Sequence, residues 1–336
     1  MSLEQRLEHP APALARALAG RLVFLLFPWK TLMKIVHLSD IHVWRYTWNL
    51  RHLLGRRALG MMELLMGRAR RFQLDRLAAV VDQVAGLKPD HIVITGDLTT
   101  TALPSEFREA ARLLAPLLTD PAKVSIVPGN HDRTTGRSFR SRRFEGTFGA
   151  FMPALTFPWL RRLDSDTAIL GLDPTRTRFS PRGRLPADQL VAAQAMTSNP
   201  DTRSKILIVA CHYPVAAPVR YQRELFHKRL DNDQAVRTWL AGIGPHLHCC
   251  GHVHAAWAFQ PPSLPNQICL NAGAPLMRDP TGLRLPGFLE IQLEGDAVTV
   301  IHQAWTGAEW KAVPMLQNVC LATIDETVSA TKHEAG

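Results

Sequence analysis

Residues 35–44 read "IVHLSDIHVW", an apolar run that stops at Asp40 and His42, two places apart. Strands that meet solvent often end in polar residues, so this pair alone decides nothing. The decisive feature is recurrence. Short apolar runs rich in branched residues appear at 34–38, 91–95, 124–127, 168–172, 205–210 and 268–270. Each is long enough for a buried strand and too short for a typical helix. Segments with helical spacing lie between them: Leu74, Leu77, Ala78, Val81 and Val84 make one apolar stripe, and Phe107, Ala110, Ala111, Leu114 and Leu118 make another. Ser105, which follows Pro104, is the expected cap of the second helix. Residues 186–198 and 232–243 also read as helices. Near the C-terminus, "FLEIQLEGDAVTVIHQAW" (288–305) alternates on both sides of Glu294-Gly295-Asp296, the pattern of an antiparallel hairpin.

Strand and helix in alternation, closed by a hairpin, predict an α/β domain over 33–307. Residues 1–32 are then an N-terminal extension with the character of a peripheral amphipathic helix, 44–72 a basic amphipathic insertion, and 308–336 a tail without periodicity. The apolar run Leu22–Phe27 is far shorter than the roughly 20 residues needed to cross a bilayer. With Glu4, Glu8 and two prolines upstream, it also makes a poor signal peptide. The five cysteines fit neither a disulfide framework nor a CxxC zinc site, which points to a reducing cytoplasm. Thirty-nine Lys and Arg against 29 Asp and Glu give a net charge of +10, so anionic partners are favoured. Pro and Gly are spread without a period, which excludes collagen-like and repeat architectures.

In open α/β sheets, ligands bind at the loops beyond the carboxyl ends of the strands. Here those ends carry "SDIH" (39–42), "TGDLTT" (95–100), "PGNHD" (128–132), "CHYP" (211–214) and "GHVH" (251–254). Each motif is weak by itself, because carboxylates and imidazoles also cap turns. Five in order, each at a strand end, make a purely structural reading untenable. The residue types suit two divalent ions roughly 3.5 to 4 Å apart, because a carboxylate such as Asp97 bridges two cations easily. A mixed nitrogen and oxygen shell suits Mn, Fe, Zn or Co. Asp40 and His42, two apart on an extended segment, are expected to project to the same side.

This ordered set resembles that of the calcineurin-like metallophosphoesterases, whose signature runs DxH, GD, GNH[DE], H and GHxH. The blocks here are Asp40-Ile41-His42, Gly96-Asp97, Gly129-Asn130-His131-Asp132, His212, and Gly251-His252-Val253-His254. The resemblance implies two mixed β-sheets packed as a sandwich and flanked by helices. It implies one ion held by Asp40, His42, Asp97 and His254, and a second held by Asp97, Asn130, His212 and His252. His131 is then expected at the scissile phosphate, where it assists the leaving group. The implied reaction is hydrolysis of a phosphodiester or phosphomonoester by a metal-bridging hydroxide, with no covalent enzyme intermediate. One position departs from the pattern: many relatives read GDxxD, and the last carboxylate orients the histidine of GNH. Thr100 stands there, and a threonine side chain cannot stabilise an imidazolium as a carboxylate would. Asp132, adjacent on the loop, is not assigned that role.

For the substrate, the GNHD form and block order resemble those of the family's small phosphodiesterases, which implies a small nucleotide-like or phosphorylated molecule. Arg133, Arg137 and Arg140, which follow GNHD, are the candidate phosphate-binding side chains. The insertion "WRYTWNLRHLLGRRALGMMELLMGRARRF" (44–72), with seven arginines and one glutamate, supports an alternative. It resembles that of family members acting on lipid-linked pyrophosphates, which implies a lipid-linked pyrophosphate or phospholipid hydrolase peripheral to an anionic membrane. The arginine clusters lack the aromatic interleaving of a single-strand platform, which argues against nucleic acid. A non-catalytic scaffold on the same fold is a further alternative from another class.

Overall fold

The computed structural model describes residues 32–49, 56–176, 180–200 and 204–321. The expected N-terminal helix and residues 322–336 of the tail lie outside this range, as do residues 50–55 of the insertion. Two six-stranded mixed sheets pack face to face. The first has the order β12-β11-β10-β1-β2-β3, built from β1 (Leu32–Leu38), β2 (His91–Ile94), β3 (Val124–Ile126), β10 (Gly287–Glu294), β11 (Ala297–Trp305) and β12 (Trp310–Cys320). The second has the order β4-β5-β6-β7-β9-β8, built from β4 (Trp159–Arg162), β5 (Thr167–Gly171), β6 (Ile206–Ala210), β7 (His246–Cys250), β8 (Ala256–Phe259) and β9 (Gln267–Ala272).

One hydrophobic core joins the sheets, with Ile35 and Leu289 from the first and Ile169, Ile208 and Ile268 from the second all fully or almost fully buried. The central strands are buried on both faces, which explains why their sequences run apolar without alternation. The helices cover the outer faces. Leu77–Leu87 and Pro104–Leu114 bury Val80, Val84, Phe107 and Ala110 in the same core as the first sheet. Ala187–Ser198 and Asp233–Gly242 bury Ala193, Val236 and Leu240 with Leu170 and Val209 of the second. The structure is the α/β sandwich that the motif set implies.

Three differences from the sequence reading have physical causes. The strands β4, β8 and β12 all lie at sheet edges, where one side faces solvent and no continuous apolar run is required. The sheet therefore extends past 307, and Trp310–Cys320, read as tail, pairs antiparallel with β11. Pro314 in that strand is tolerated because an edge strand has a row of N–H groups with no ladder partner. Ser105 does not cap the helix Pro104–Leu114. Its N-cap residue is Leu103, and the buried carboxylate of Glu106 accepts from the N–H groups of Leu103 and Thr101 at 3.1 and 2.8 Å and from Thr101 Oγ1 at 3.0 Å.

Candidate metal centre

The loops that follow β1 and β2 are tied together by their backbones. Asp40 N–H donates to the Gly96 carbonyl at 3.0 Å, His42 N–H to Asp97 at 2.8 Å, and Val43 N–H to Leu98 at 2.9 Å. The loops after β6 and β7 are tied in the same way, with Gly251 N–H donating to the His212 carbonyl at 3.0 Å. Two contacts join the sheets at this edge. Asp40 accepts from His252 N–H at 3.0 Å, and His212 Nδ1 lies 2.7 Å from the Thr95 carbonyl. A Cβ on Gly251 would overlap Ser39 Oγ and Asp40 Oδ2, so only glycine permits this approach.

Asp40 and His42 do converge, but not by strand alternation. Both are left-handed, with φ of 54° and 51°, as are Asp97 (53°), His252 (72°) and His254 (57°). A non-glycine residue in such a conformation costs on the order of 1–3 kcal/mol and persists only where its surroundings over-determine it. Here five of the seven candidate ligands share this conformation at one edge of the sandwich. Such strain concentrates where side chains must be aimed.

Asp40, His42, Asp97 and His254 bring one ligand atom each within 4.8 Å of one another, and so do Asp97, His212 and His252. Asp97 belongs to both groups. Asn130 joins the second, its Oδ1 being 3.2 Å from His212 Nε2. His42 Nε2 faces His254 Nε2 at 3.0 Å, and the latter lies 3.2 Å from Asp40 Oδ1. His212 Nε2 lies 3.2 Å from both Asp97 Oδ2 and His252 Nδ1.

The outer ring nitrogens are committed elsewhere. His212 Nδ1 donates to the Thr95 carbonyl, and His252 Nε2 donates to the Lys228 carbonyl at 3.2 Å. Their inner nitrogens are left facing carboxylate and amide oxygens, an arrangement that needs either a proton or a cation between the partners. Acceptors converging with too few protons between them are the donor set of a cation, and backbone carbonyls that fix the tautomer from outside are its usual support.

The electrostatics agree with this geometry. Burial would raise both carboxyls, but His254 beside Asp40 and His212 beside Asp97 hold them below the usual range. Burial drives His42 down to about 4, and it lowers His252 and His254 as well. Burial also opposes charge on His212, yet Asp97 pushes it up to about 9. The negative charge that draws a proton there also draws a metal cation.

His131 faces the same space. Its N–H donates to Asp97 Oδ1 at 2.8 Å and its Nδ1 to the Thr100 carbonyl at 2.7 Å. The residue in the GDxxD position thus does orient the histidine, through its backbone rather than its side chain. His131 Nε2 accepts from the Arg68 guanidinium at 3.1 Å. Burial first, and then Arg68, hold the imidazole well below its usual value. Asp132 turns away from His131. It accepts from the N–H groups of Thr99 and Gly129, both at 2.9 Å, and so braces two loops.

These groups open onto a cavity of about 750 Å³, whose walls include Arg68, Arg71, Phe72, Lys228 and Arg284. The arginines expected at the substrate are placed differently. Arg133 is buried, its guanidinium bound by Glu145 at 2.7 and 2.9 Å and by Asp173 at 3.1 Å, and two carboxylates leave it no role with a phosphate. Arg137 and Arg140 sit exposed on the helix Gly136–Arg140, and neither lines the cavity. Sequence reasoning marked the insertion as basic without singling out Arg68. Lys228 and Arg284 carry no motif that could have marked them.

A family model described as calcineurin-like phosphoesterase matches residues 33–256. Among solved structures, the chain is similar to a dimetal phosphatase from Danio rerio. The two are 15% identical with a TM-score of 0.56, over 84% of this chain and 99% of that one. It is also similar to a purple acid phosphatase from yellow lupin (Lupinus luteus) seeds. These are 14% identical with a TM-score of 0.54, over 85% of this chain and 54% of that one. At such identities the likeness is one of fold. No curated protein matches the sequence at significance.

Proposed function

The chain belongs to the calcineurin-like phosphoesterases, metal-dependent hydrolases of phosphate esters, and from that premise we propose that it cleaves a phosphodiester or phosphomonoester at the cavity beside Asp97. The observation that carries the proposal is that two clusters of ligand-type side chains share this one carboxylate. Asp40, His42, Asp97 and His254 would hold one ion; Asp97, His212 and His252, with Asn130 beside them, would hold the other. When bound, two divalent ions neutralise phosphoryl charge and lower the pKa of a water towards 7.

The chain's own groups do the rest. Arg68 has only donors, and on leaving His131 it offers N–H groups to a phosphoryl oxygen. His131, with Nδ1–H committed to the Thr100 carbonyl, takes or releases a proton at Nε2, the atom that faces the cavity. Phe72 packs its ring 4.5 Å from that of His42 and limits water on that side. The cavity lies within the range of sites for small molecules, so a nucleotide-sized ester or a headgroup of similar size fits.

The test is hydrolysis of bis-p-nitrophenyl phosphate with Mn present, by the wild type and by Asp97→Asn and His252→Ala. The wild type is expected to turn over and both variants to lose activity by about a thousand-fold or more, with metal content falling in parallel. Retained activity in either variant would overturn the assignment.

A further inference from the structure

The insertion is apolar on two sides. The helix Arg56–Glu63 and the π turn Leu64–Arg68 bury Met61 and Leu64 against Leu103, while Arg57 donates to the carbonyls of Thr101 and Ala102 at 3.1 and 3.2 Å. That inward face is enough to dock the segment on the domain. Outward, Leu59, Met62, Leu65 and Met66 are 49, 50, 62 and 78% exposed. A helix already anchored by one stripe gains nothing in water from a second, and contiguous exposed apolar side chains mark an interaction surface. Trp48, 79% exposed, precedes them in the same insertion.

Charge narrows the partner. Arg70 and Arg71 follow the stripe directly, are exposed, and make no ion pair among the described residues. The whole chain carries +10. Leucine and methionine flanked by tryptophan and arginine match the boundary of an anionic bilayer, where apolar side chains enter the acyl region and guanidinium groups meet lipid phosphates. The surface is also continuous with the catalytic cavity: Met66, Gly67, Arg68 and Arg71 line it. Leu283 and Leu285, 77 and 46% exposed, flank Arg284 of the same cavity wall. A small soluble nucleotide needs no such rim.

We propose that residues 59–71 form a docking surface for an anionic lipid bilayer, and that the phosphate ester entering the cavity is carried on a lipid. The substrate half of this proposal rests on the phosphoesterase reading above.

The full chain is sedimented with vesicles of phosphatidylcholine alone and with phosphatidic acid added. A double variant, Met62→Glu with Leu65→Glu, alters two exposed positions that do not line the cavity. The wild type is expected to sediment with the acidic vesicles, increasingly so at low salt, and the variant to lose about ten-fold or more of that partitioning. Without vesicles, both are expected to hydrolyse bis-p-nitrophenyl phosphate equally and to melt alike. Acidic vesicles are expected to compete with that soluble substrate in the wild type only, raising its apparent KM.

A wild type that stays in the supernatant, or a variant that binds equally, overturns the docking surface. So does a wild-type dimer that the substitutions dissolve while neither protein binds vesicles, because the stripe then serves a second copy. Binding without competition overturns the lipid substrate. A wild type that binds vesicles but hydrolyses nothing with Mn overturns the phosphoesterase reading and leaves the docking surface standing.

Discussion

His131 is held at both ring nitrogens, by the Thr100 carbonyl on one side and the Arg68 guanidinium on the other, and each contact makes its own prediction. Arg68→Ala should lower kcat/KM on a soluble diester by about a hundred-fold, the scale of one charge-assisted pair in a partly dry site, with the melting temperature nearly unchanged. Arg68→Lys should recover only part, since an ammonium cannot reproduce the guanidinium fork. Steady-state kinetics check both, and an unaffected Ala variant would remove Arg68 from the site. Thr100→Ala should behave in the opposite way. It loses the bond from Oγ1 to the His42 carbonyl, about 1 kcal/mol by denaturant unfolding, but keeps the carbonyl that orients His131, so kcat should move less than about three-fold. The motif residues were legible because metal chemistry permits few side chains. The partner of His131 was not, because every residue has a carbonyl and only the fold decides which one is in place.

Two elements carry the site, and both depend on backbone detail. Gly67 interrupts the insertion with φ of 119°, and Arg68, the next residue, reaches His131 from there. Gly67→Ala meets no steric obstacle, yet it strains that backbone. It should cost about 1 kcal/mol and raise KM as Arg68 is displaced, which unfolding and kinetics together would reveal. Glu106 organises the loop from Thr101 to Leu103, on which the insertion packs. Burial pushes its carboxyl up to about 7 despite four donors. A raised folded pKa means that the native state binds the extra proton, so this contribution is full below the unfolded value of about 4.5 and is lost as pH rises through 7. Glu106→Gln, whose amide oxygen can take the two backbone N–H groups, should flatten the fall in stability across that window, a term on the order of 2–3 kcal/mol in the wild type. An unchanged slope would mean that Glu106 does not titrate there. Central strands and long amphipathic helices were visible in the sequence as apolar runs and stripes. Edge strands such as Trp310–Cys320 were not, because half-exposed residues with a proline leave no period to read.

Across the whole molecule, the centre is where the two sheets meet. Asp40, His42, Asp97 and Asn130 come from loops of the first sheet, and His212, His252 and His254 from loops of the second, so ions held by these residues would link the halves of the sandwich. Chelation should therefore lower the melting temperature by several degrees, since a ligand at about a thousand times its Kd contributes about 4 kcal/mol. Restoring Mn should reverse the shift. Calorimetry that shows no shift would separate the centre from the stability of the fold. Part of the insertion lines the same cavity as the candidate ligands, so the proposed docking surface and the metal centre share one side of the molecule. The central claim, that Asp97 serves two ions at once, is tested most directly by the metal content of wild type and Asp97→Asn after equilibration with Mn and desalting. Two ions per wild-type chain and fewer than one per variant chain are predicted; two ions retained by the variant would contradict it.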